Sequence, residues 1–290
     1  MSVNLRKLLR PLVPNVRVRI RHVEKSKQLE IRFREHLGLF ARGAGAFEAQ
    51  YVKVMRKLIS AGDTVFDVGA NIGFYSVLFS CWVGANGRVA VYEPDPANLE
   101  LLQRNLMLND CRNVVLRPLA VGRDRGTDVF SVDTVTRSTG HLGAGATYGG
   151  VIFGNGRESL LQVTTTTLDQ EVAEVGAPAF LKMDIEGGEF EALSGAVELL
   201  SRHRPMIISE LNGWTAANPT GTEPAKEALQ FLTRFEYSLW DLDTKLMTTP
   251  DSPPWMVLAI PREKEAGVGG LLTEGAGKVP DSMLRVLKHA

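Results

Sequence analysis

Short apolar runs alternate along most of this chain with longer stretches whose apolar positions recur every three or four residues. The runs at 64–68, 88–93, 113–117, 179–184 and 205–211 predict buried strands, and the stretches at 72–83, 96–109, 188–201 and 223–235 predict helices. Asp95 followed by Pro96 suits a helix start with an acid at the cap. Strands alternating with helices call for a mostly parallel sheet with helices on both faces. Tyr237–Asp241 and Trp255–Ile260 can close it as an antiparallel hairpin, making seven strands. Ahead of the sheet, Glu48–Ile59 reads as an amphipathic helix ending near Gly62.

Three stretches break this rhythm. Residues 119–167 are β-like (Asp128–Val132, Leu161–Thr166) around a loop with seven glycines between Gly140 and Gly156. A loop that long in an α/β domain is either a binding loop or an unstructured insertion; residues 134–158 are the expected acceptor loop, with His141 and Tyr148 as its chemical handles. Residues 1–46 form a basic N-terminal arm closed by the Gly/Ala stretch Gly43–Ala46, leaving 47–261 as the main domain. From 262 to 290 the tail is polar and Gly-rich, and is expected to be mobile.

The most informative segment is VFDVGANIGFYS, residues 65–76. An apolar run reaches Asp67, passes Gly69 and Gly73, and turns into a helical pattern, which describes a strand, a tight turn and a helix start with free amides. The absent Cβ atoms at Gly69 and Gly73 would let a ligand lie against the backbone, with Ala70 and Asn71 between them. A dinucleotide site wants G-x-G-x-x-G, and here the middle glycine is Asn71, so no pyrophosphate cradle exists. Asp67 would repel a diphosphate but attract an amino group or a sulfonium. Glu93 ends the next strand twenty residues after Gly73, where a carboxylate can accept from both ribose hydroxyls. A cationic nucleoside without phosphate fits all three features, and S-adenosyl-L-methionine is such a molecule. The plainer role for Glu93 is an acid near a helix N-terminus.

Charge changes this picture only locally. Thirty-three basic and thirty-three acidic residues cancel, yet the first 57 residues hold fourteen Lys/Arg and four acids. Val16–Arg21 alternates at period two, placing three arginines on one strand face. That face suits peripheral contact with an anionic membrane, a phosphorylated acceptor or a lipid-linked glycan; equally, it suits an edge strand that uses charge to discourage pairing. The arm lacks interleaved aromatics, which argues against nucleic acid. Cys81 and Cys111 have no C-x-x-C context and point to neither metal nor redox chemistry. With no apolar run of spanning length and no signal-peptide pattern, a cytoplasmic protein is expected. Oligomeric state is not legible.

VFDVGANIGFYS, VYEPDPANLELLQRNLMLN at 91–109 and LKMDIEGGEFEALSGA at 181–196 together resemble, in order and spacing, the FkbM-type methyltransferases, over roughly residues 47–260. The resemblance implies a Rossmann-like class I methyltransferase fold and methyl transfer from S-adenosylmethionine to a hydroxyl of a sugar, glycan or polyketide-type acceptor.

On that fold the cofactor would be held by Asp67, Gly69, Ala70, Asn71, Gly73, Glu93 and Asp184, with Ala120 and Val121 against the adenine. Asp184 and Glu186 end the fourth strand beside Gly187 and Gly188, facing the sulfonium; the competing reading is a cap for the following helix. Glu210 and Asn212 should stand beside Asp184. Transfer needs in-line positioning and loss of the acceptor proton, by a general base (a carboxylate or His141) or by magnesium on Asp184, Glu210 and Asn212. No separate structural metal is expected. An N-methyltransferase, a non-catalytic cofactor-binding scaffold and a nicotinamide oxidoreductase are the alternatives. They are disfavoured respectively by D-I-E-G in place of an Asn/Asp-Pro-Pro-aromatic run, by four acids converging on one ligand, and by the missing middle glycine.

Overall fold

The computed structural model describes residues 14–21, 24, 26–134, 137, 139–143, 158–211 and 222–268. An antiparallel hairpin, β1 (Arg17–Arg21) and β2 (Gln28–Arg32), precedes helices α1 (Leu37–Arg42) and α2 (Ala49–Leu58). Then come β3 (Thr64–Val68), α3 (Phe74–Val83), β4 (Arg88–Tyr92), α4 (Pro96–Leu108) and β5 (Val114–Arg117). The start of α4 follows the sequence: the Asp95 side chain accepts from the Ala97 amide at 3.0 Å, and Pro96 occupies the first turn.

The β-like stretches expected at Asp128–Val132 and Leu161–Thr166 are strands, and with two shorter ones they form a separate four-stranded sheet. β6 (Ala120–Val121), β7 (Gly126–Asp133), β8 (Gly140–Leu142) and β9 (Glu158–Thr166) pair in the order β6-β9-β7-β8. Ala120, Phe130, Val132 and Val163 make a small core of their own. Tyr148 and most of the expected acceptor loop lie outside the described residues, as do Asn212 and the tail beyond Val268.

The chain returns through α5 (Leu168–Val175), β10 (Phe180–Met183), α6 (Glu189–Ser194), a π-helical turn (Leu199–His203), β11 (Met206–Glu210), α7 (Thr222–Arg234), β12 (Tyr237–Asp241), β13 (Leu246–Met247) and β14 (Met256–Pro261). The single helix expected at 188–201 is thus two pieces. Asp169 starts the second by accepting from the Glu198 and Leu199 amides at 2.9 and 2.7 Å.

The main sheet runs β13-β12-β14-β11-β10-β3-β4-β5, with β11, β10, β3, β4 and β5 parallel and β14 antiparallel to both its neighbours. It has one more strand than expected, the two-residue β13. Successive residues feed opposite faces. Val65, Val91, Phe180 and Ile208 pack towards α2, α3 and α4, whereas Phe66, Leu181, Met183 and Ile207 pack towards α5, α6 and α7. Burial on both faces is why these strands read as unbroken apolar runs. Connections lead outward from β3 to β4 and β5, then return to β10 on the other side of β3. This topological switch point opens a crevice at the carboxyl ends of the strands.

The described residues of the basic arm pack against this body. Leu29 and Ile31 are fully buried in the first core. The Asn105 side chain accepts from the Glu30 amide (2.7 Å) and donates to its carbonyl (3.0 Å); Asn109 does the same with Gln28 (2.9 and 2.7 Å). Four residues of helix and two of strand both advance about 6–7 Å, so two helix asparagines can imitate a neighbouring strand. Arg17 pairs with Glu100 at 2.8 Å, and Arg19 faces Glu30 at 3.7 Å, so these two arginines meet acids of their own chain. Among the described residues, no helix is long and apolar enough to cross a membrane.

Candidate active site

A crevice opens at the switch point, where ligands of open α/β sheets bind. Gly69, Asn71, Glu93, Asp95, Asn98, Asp184 and Glu186 supply much of its polar lining; Ala120, Val121, Phe130, Val132 and Leu142 form an apolar wall. The apolar wall comes largely from the second sheet, so residues 120–142 complete the pocket.

Glu93 ties its two turns together. It accepts from the Asn71 amide at 2.8 Å and the Asp95 amide at 2.9 Å. Burial raises its pKa to about 8; the Asp95 charge adds to the rise, and the hydrogen bonds from Asp95, Asn71 and Asn98 oppose it. The glycines of the turn answer mainly to the chain's own packing. Gly69 (φ +74°) receives the Asp184 carbonyl so closely that a Cβ would lie 1.9 Å from its oxygen, and a Cβ on Gly73 (φ +87°) would lie 2.5 Å from Leu102. Gly69 does line the cavity, but Gly73 and Ala70 stand behind it.

Asp67 is also placed differently from expectation. It is fully buried beneath the turn, accepting from the Ser76 hydroxyl at 2.6 Å and pairing with Lys182 at 3.5 Å. Lys182, which the sequence reading passed over, is the centre of the region. Its ammonium donates to the Gly69 carbonyl at 2.9 Å, lies 3.7 Å from Asp184 and sits over the Tyr75 ring. Burial works against its charge, but Asp67, Asp184, Glu48 and Glu210 outweigh that and hold its pKa above the ordinary lysine value. The available signal was a lone lysine inside an apolar strand, because a charge there must have partners.

The D-I-E-G-G-E segment divides its work. Asp184 and Glu186 both line the cavity, and Glu186 takes a left-handed backbone (φ 56°). The loop's carboxyl cap is a third acid, Glu189, which accepts from the Ile185 amide at 3.2 Å and the Gly187 amide at 3.3 Å. Burial raises its pKa to about 7.

The β10–β11 register, Met183 opposite Ser209, sets Glu210 beside Asp184 as expected. A narrow cavity lies there, shared by Glu48, Tyr75, Lys182, Asp184, Glu210 and Met256. Asp184 therefore lines both spaces. Burial and the charges of Asp184, Glu186 and Glu48 hold the Glu210 carboxyl well above the usual range.

His141 is not among these groups. It pairs with Ser131 on β8 while Gly140 and Leu142, its neighbours, line the cavity, so the strand's alternation turns His141 to the other face. Its Nδ1 lies 2.9 Å from the Leu142 carbonyl. Arg137, which carried no spacing signal in the sequence, does reach the site: its guanidinium donates to both Asp95 oxygens (3.0 and 2.9 Å), and its carbonyl accepts from Asn98 at 3.0 Å.

Magnesium is not supported: among the described residues no group of three His, Cys, Asp or Glu side chains could hold a metal ion, Asp184 has the Lys182 ammonium as its cation, and Asn212 lies outside the described residues.

A parallel sheet with a switch point, a glycine turn and a strand-end acid over a carboxyl-rich cavity define a Rossmann-like α/β enzyme of the nucleoside-binding kind. Its acids outnumber its one arginine, which favours a cation and disfavours a diphosphate. Residues 67–239 match the methyltransferase FkbM domain, and the chain belongs to that family of methyltransferases. Among curated proteins, none matches the sequence. Solved structures similar to it include the methyltransferase FkbM from Methylobacillus flagellatus (19% identity, 68% of this chain and 43% of that one, TM-score 0.43). Others are Aeropyrum pernix fibrillarin, solved with S-adenosyl-L-methionine (13%, 73% and 74%, 0.41), and a Thermotoga maritima SAM-dependent O-methyltransferase (14%, 73% and 64%, 0.40). This chain thus spans less than half the length of the Methylobacillus protein.

Proposed function

We propose that this methyltransferase uses S-adenosyl-L-methionine to methylate a hydroxyl of a small-molecule or glycan acceptor of the sugar or polyketide type. The observation that carries the reading is the buried Glu93 at the crevice, anchored by the Asn71 and Asp95 amides beside an apolar wall. A carboxylate there suits a ribose diol, and Ala120, Val121 and Phe130 suit an adenine face. When bound, the cofactor supplies a methyl group activated on a sulfonium.

The chain's residues do the rest. Asp184 and Glu186 add negative potential at the mouth of the cavity, an interaction of about 4 kcal/mol for opposite unit charges 4 Å apart near a protein surface. Lys182 keeps Asp184 and the Gly69 turn in register. Glu210, holding its proton, can donate to an acceptor oxygen and so orient it. Positioning of this kind is the main source of acceleration in an in-line transfer. A hydroxyl-rich acceptor suits a cavity lined by Glu48, Tyr75 and Glu210.

Titration calorimetry with S-adenosylhomocysteine and NAD tests the cofactor. Binding of the first alone is expected, and binding of NAD alone would overturn the reading. Labelled S-adenosylmethionine incubated with source-cell extract identifies the acceptor; label recovered on an amine nitrogen would replace O- by N-methylation.

A further inference from the structure

A hydroxyl that accepts a methyl group must give up its proton, and two of the expected bases near the cofactor cavity are poorly placed to take it. Asp184 is held by Lys182, and His141 faces away. The smaller cavity behind Asp184 offers two more carboxyls, Glu210 from β11 and Glu48 from the residue before α2. Glu48 lies outside residues 67–239, so the matched domain does not contain it.

The two carboxyls sit in different surroundings. Burial holds the Glu48 carboxyl above the ordinary carboxylate range, opposed by the hydrogen bond it accepts from the Tyr75 hydroxyl; Asp184 adds to the rise, the Lys182 and Arg42 cations lower it, and Tyr51 also lies in its field. Glu210 faces Asp184, Glu186 and Glu48, with Lys182 as its counterweight. Of two neighbouring acids, the one with the donor and the additional cation ionises first, and such a division separates base from acid. The backbone reinforces this placement. Glu48 is left-handed (φ 49°, ψ 31°), rare for a residue with a Cβ, and its carbonyl accepts from the Tyr51 and Val52 amides at 2.9 and 3.0 Å.

We propose that Glu48 is the general base of methyl transfer, that the Tyr75 hydroxyl positions its carboxyl at the cavity, and that Glu210 carries the proton of the pair. As the acceptor oxygen bonds to the methyl carbon, the carbon–sulfur pair returns to sulfur and the hydroxyl proton passes to Glu48, leaving a neutral thioether, an ether and a carboxylic acid. This assignment rests on the hydroxyl-methylating function proposed above.

Two measurements test it. Carbon-13 NMR titration of glutamate-labelled protein, which needs no acceptor, should show Glu48 ionising at lower pH than Glu210. In Tyr75→Phe the Glu48 transition should move to higher pH, because a hydrogen bond that favoured the charged form is gone. With labelled S-adenosylmethionine and source-cell extract as the acceptor probe, Glu48→Gln should lose about 100-fold or more in turnover. S-adenosylhomocysteine affinity should stay within about twofold, since Glu48 does not line the cofactor cavity. The acid limb of the Tyr75→Phe rate profile should shift upward with the NMR transition. Glu48→Gln turnover within threefold of wild type, or Glu210 ionising first, would overturn the assignment. Wild-type protein that fails to bind S-adenosylhomocysteine would instead remove the functional reading beneath it.

Discussion

Replacing Lys182 with methionine keeps the length of the side chain and deletes the charge between Asp67 and Asp184. Asp67 is fully buried and Lys182 nearly so, which puts this pair in the class where removing one partner leaves an uncompensated buried charge, at a cost of about 3–5 kcal/mol. The Ser76 hydroxyl stays on Asp67 and moderates the loss, so the lower half of that range is expected. For a domain of this size each kcal/mol moves Tm by about 2–4 °C, which gives a fall of at least about 6 °C. With the Lys182 pKa raised on folding, its stabilisation is complete below the ordinary lysine pKa and disappears only as pH climbs through the raised value. Urea midpoints for both proteins at pH 8 measure the loss directly. A loss under about 1 kcal/mol there would refute the claim that Lys182 neutralises buried carboxylates.

Three further outcomes are expected. Gly69→Ala should unfold the turn or displace β10, since its Cβ would overlap the Asp184 carbonyl at 1.9 Å; circular dichroism showing wild-type stability would contradict that packing. Above about pH 8, where the Glu93 carboxylate is ionised, Glu93→Gln should weaken S-adenosylhomocysteine binding by about 10–100-fold, the worth of hydrogen bonds to a charged group. In the wild type the raised Glu93 pKa makes the folded state bind more protons than the unfolded state between about 4.5 and 8, so stability declines across that window, and the variant should lose that decline. Arg137→Ala strips the guanidinium from the buried Asp95 carboxylate and should cost about 1–3 kcal/mol in urea unfolding; an unchanged midpoint would leave the Arg137–Asp95 pair without an energetic role.

Much of the architecture was legible because the central strands β3, β4, β10, β11 and β14 are buried on both faces and amphipathic helices such as α2 on one. Those requirements write themselves into local periodicity, and Glu93, Asp184 and Glu210 could be placed at strand ends by counting residues from the turns. The stretch 119–167 was harder to read. β7 and β9 pair across a long connection, and local pattern carries no record of a partner thirty residues away. His141 shows the sharpest limit, because a single step of strand register decides whether an imidazole faces the cavity or its back wall.

The sequence by itself determined the family, the alternating framework and the three acids at the strand ends, since these follow from hydrophobic period and turn spacing over a few neighbouring residues. Only the tertiary structure decided what those acids meet. It sank Asp67 beneath the glycine turn, set Lys182 between two carboxylates, and brought Glu48 and Arg137 to the site from distant parts of the chain. The physical reason is that burial and charge pairing depend on distance in space. In a parallel α/β sheet every crossover carries the chain some tens of residues away before bringing it back beside itself.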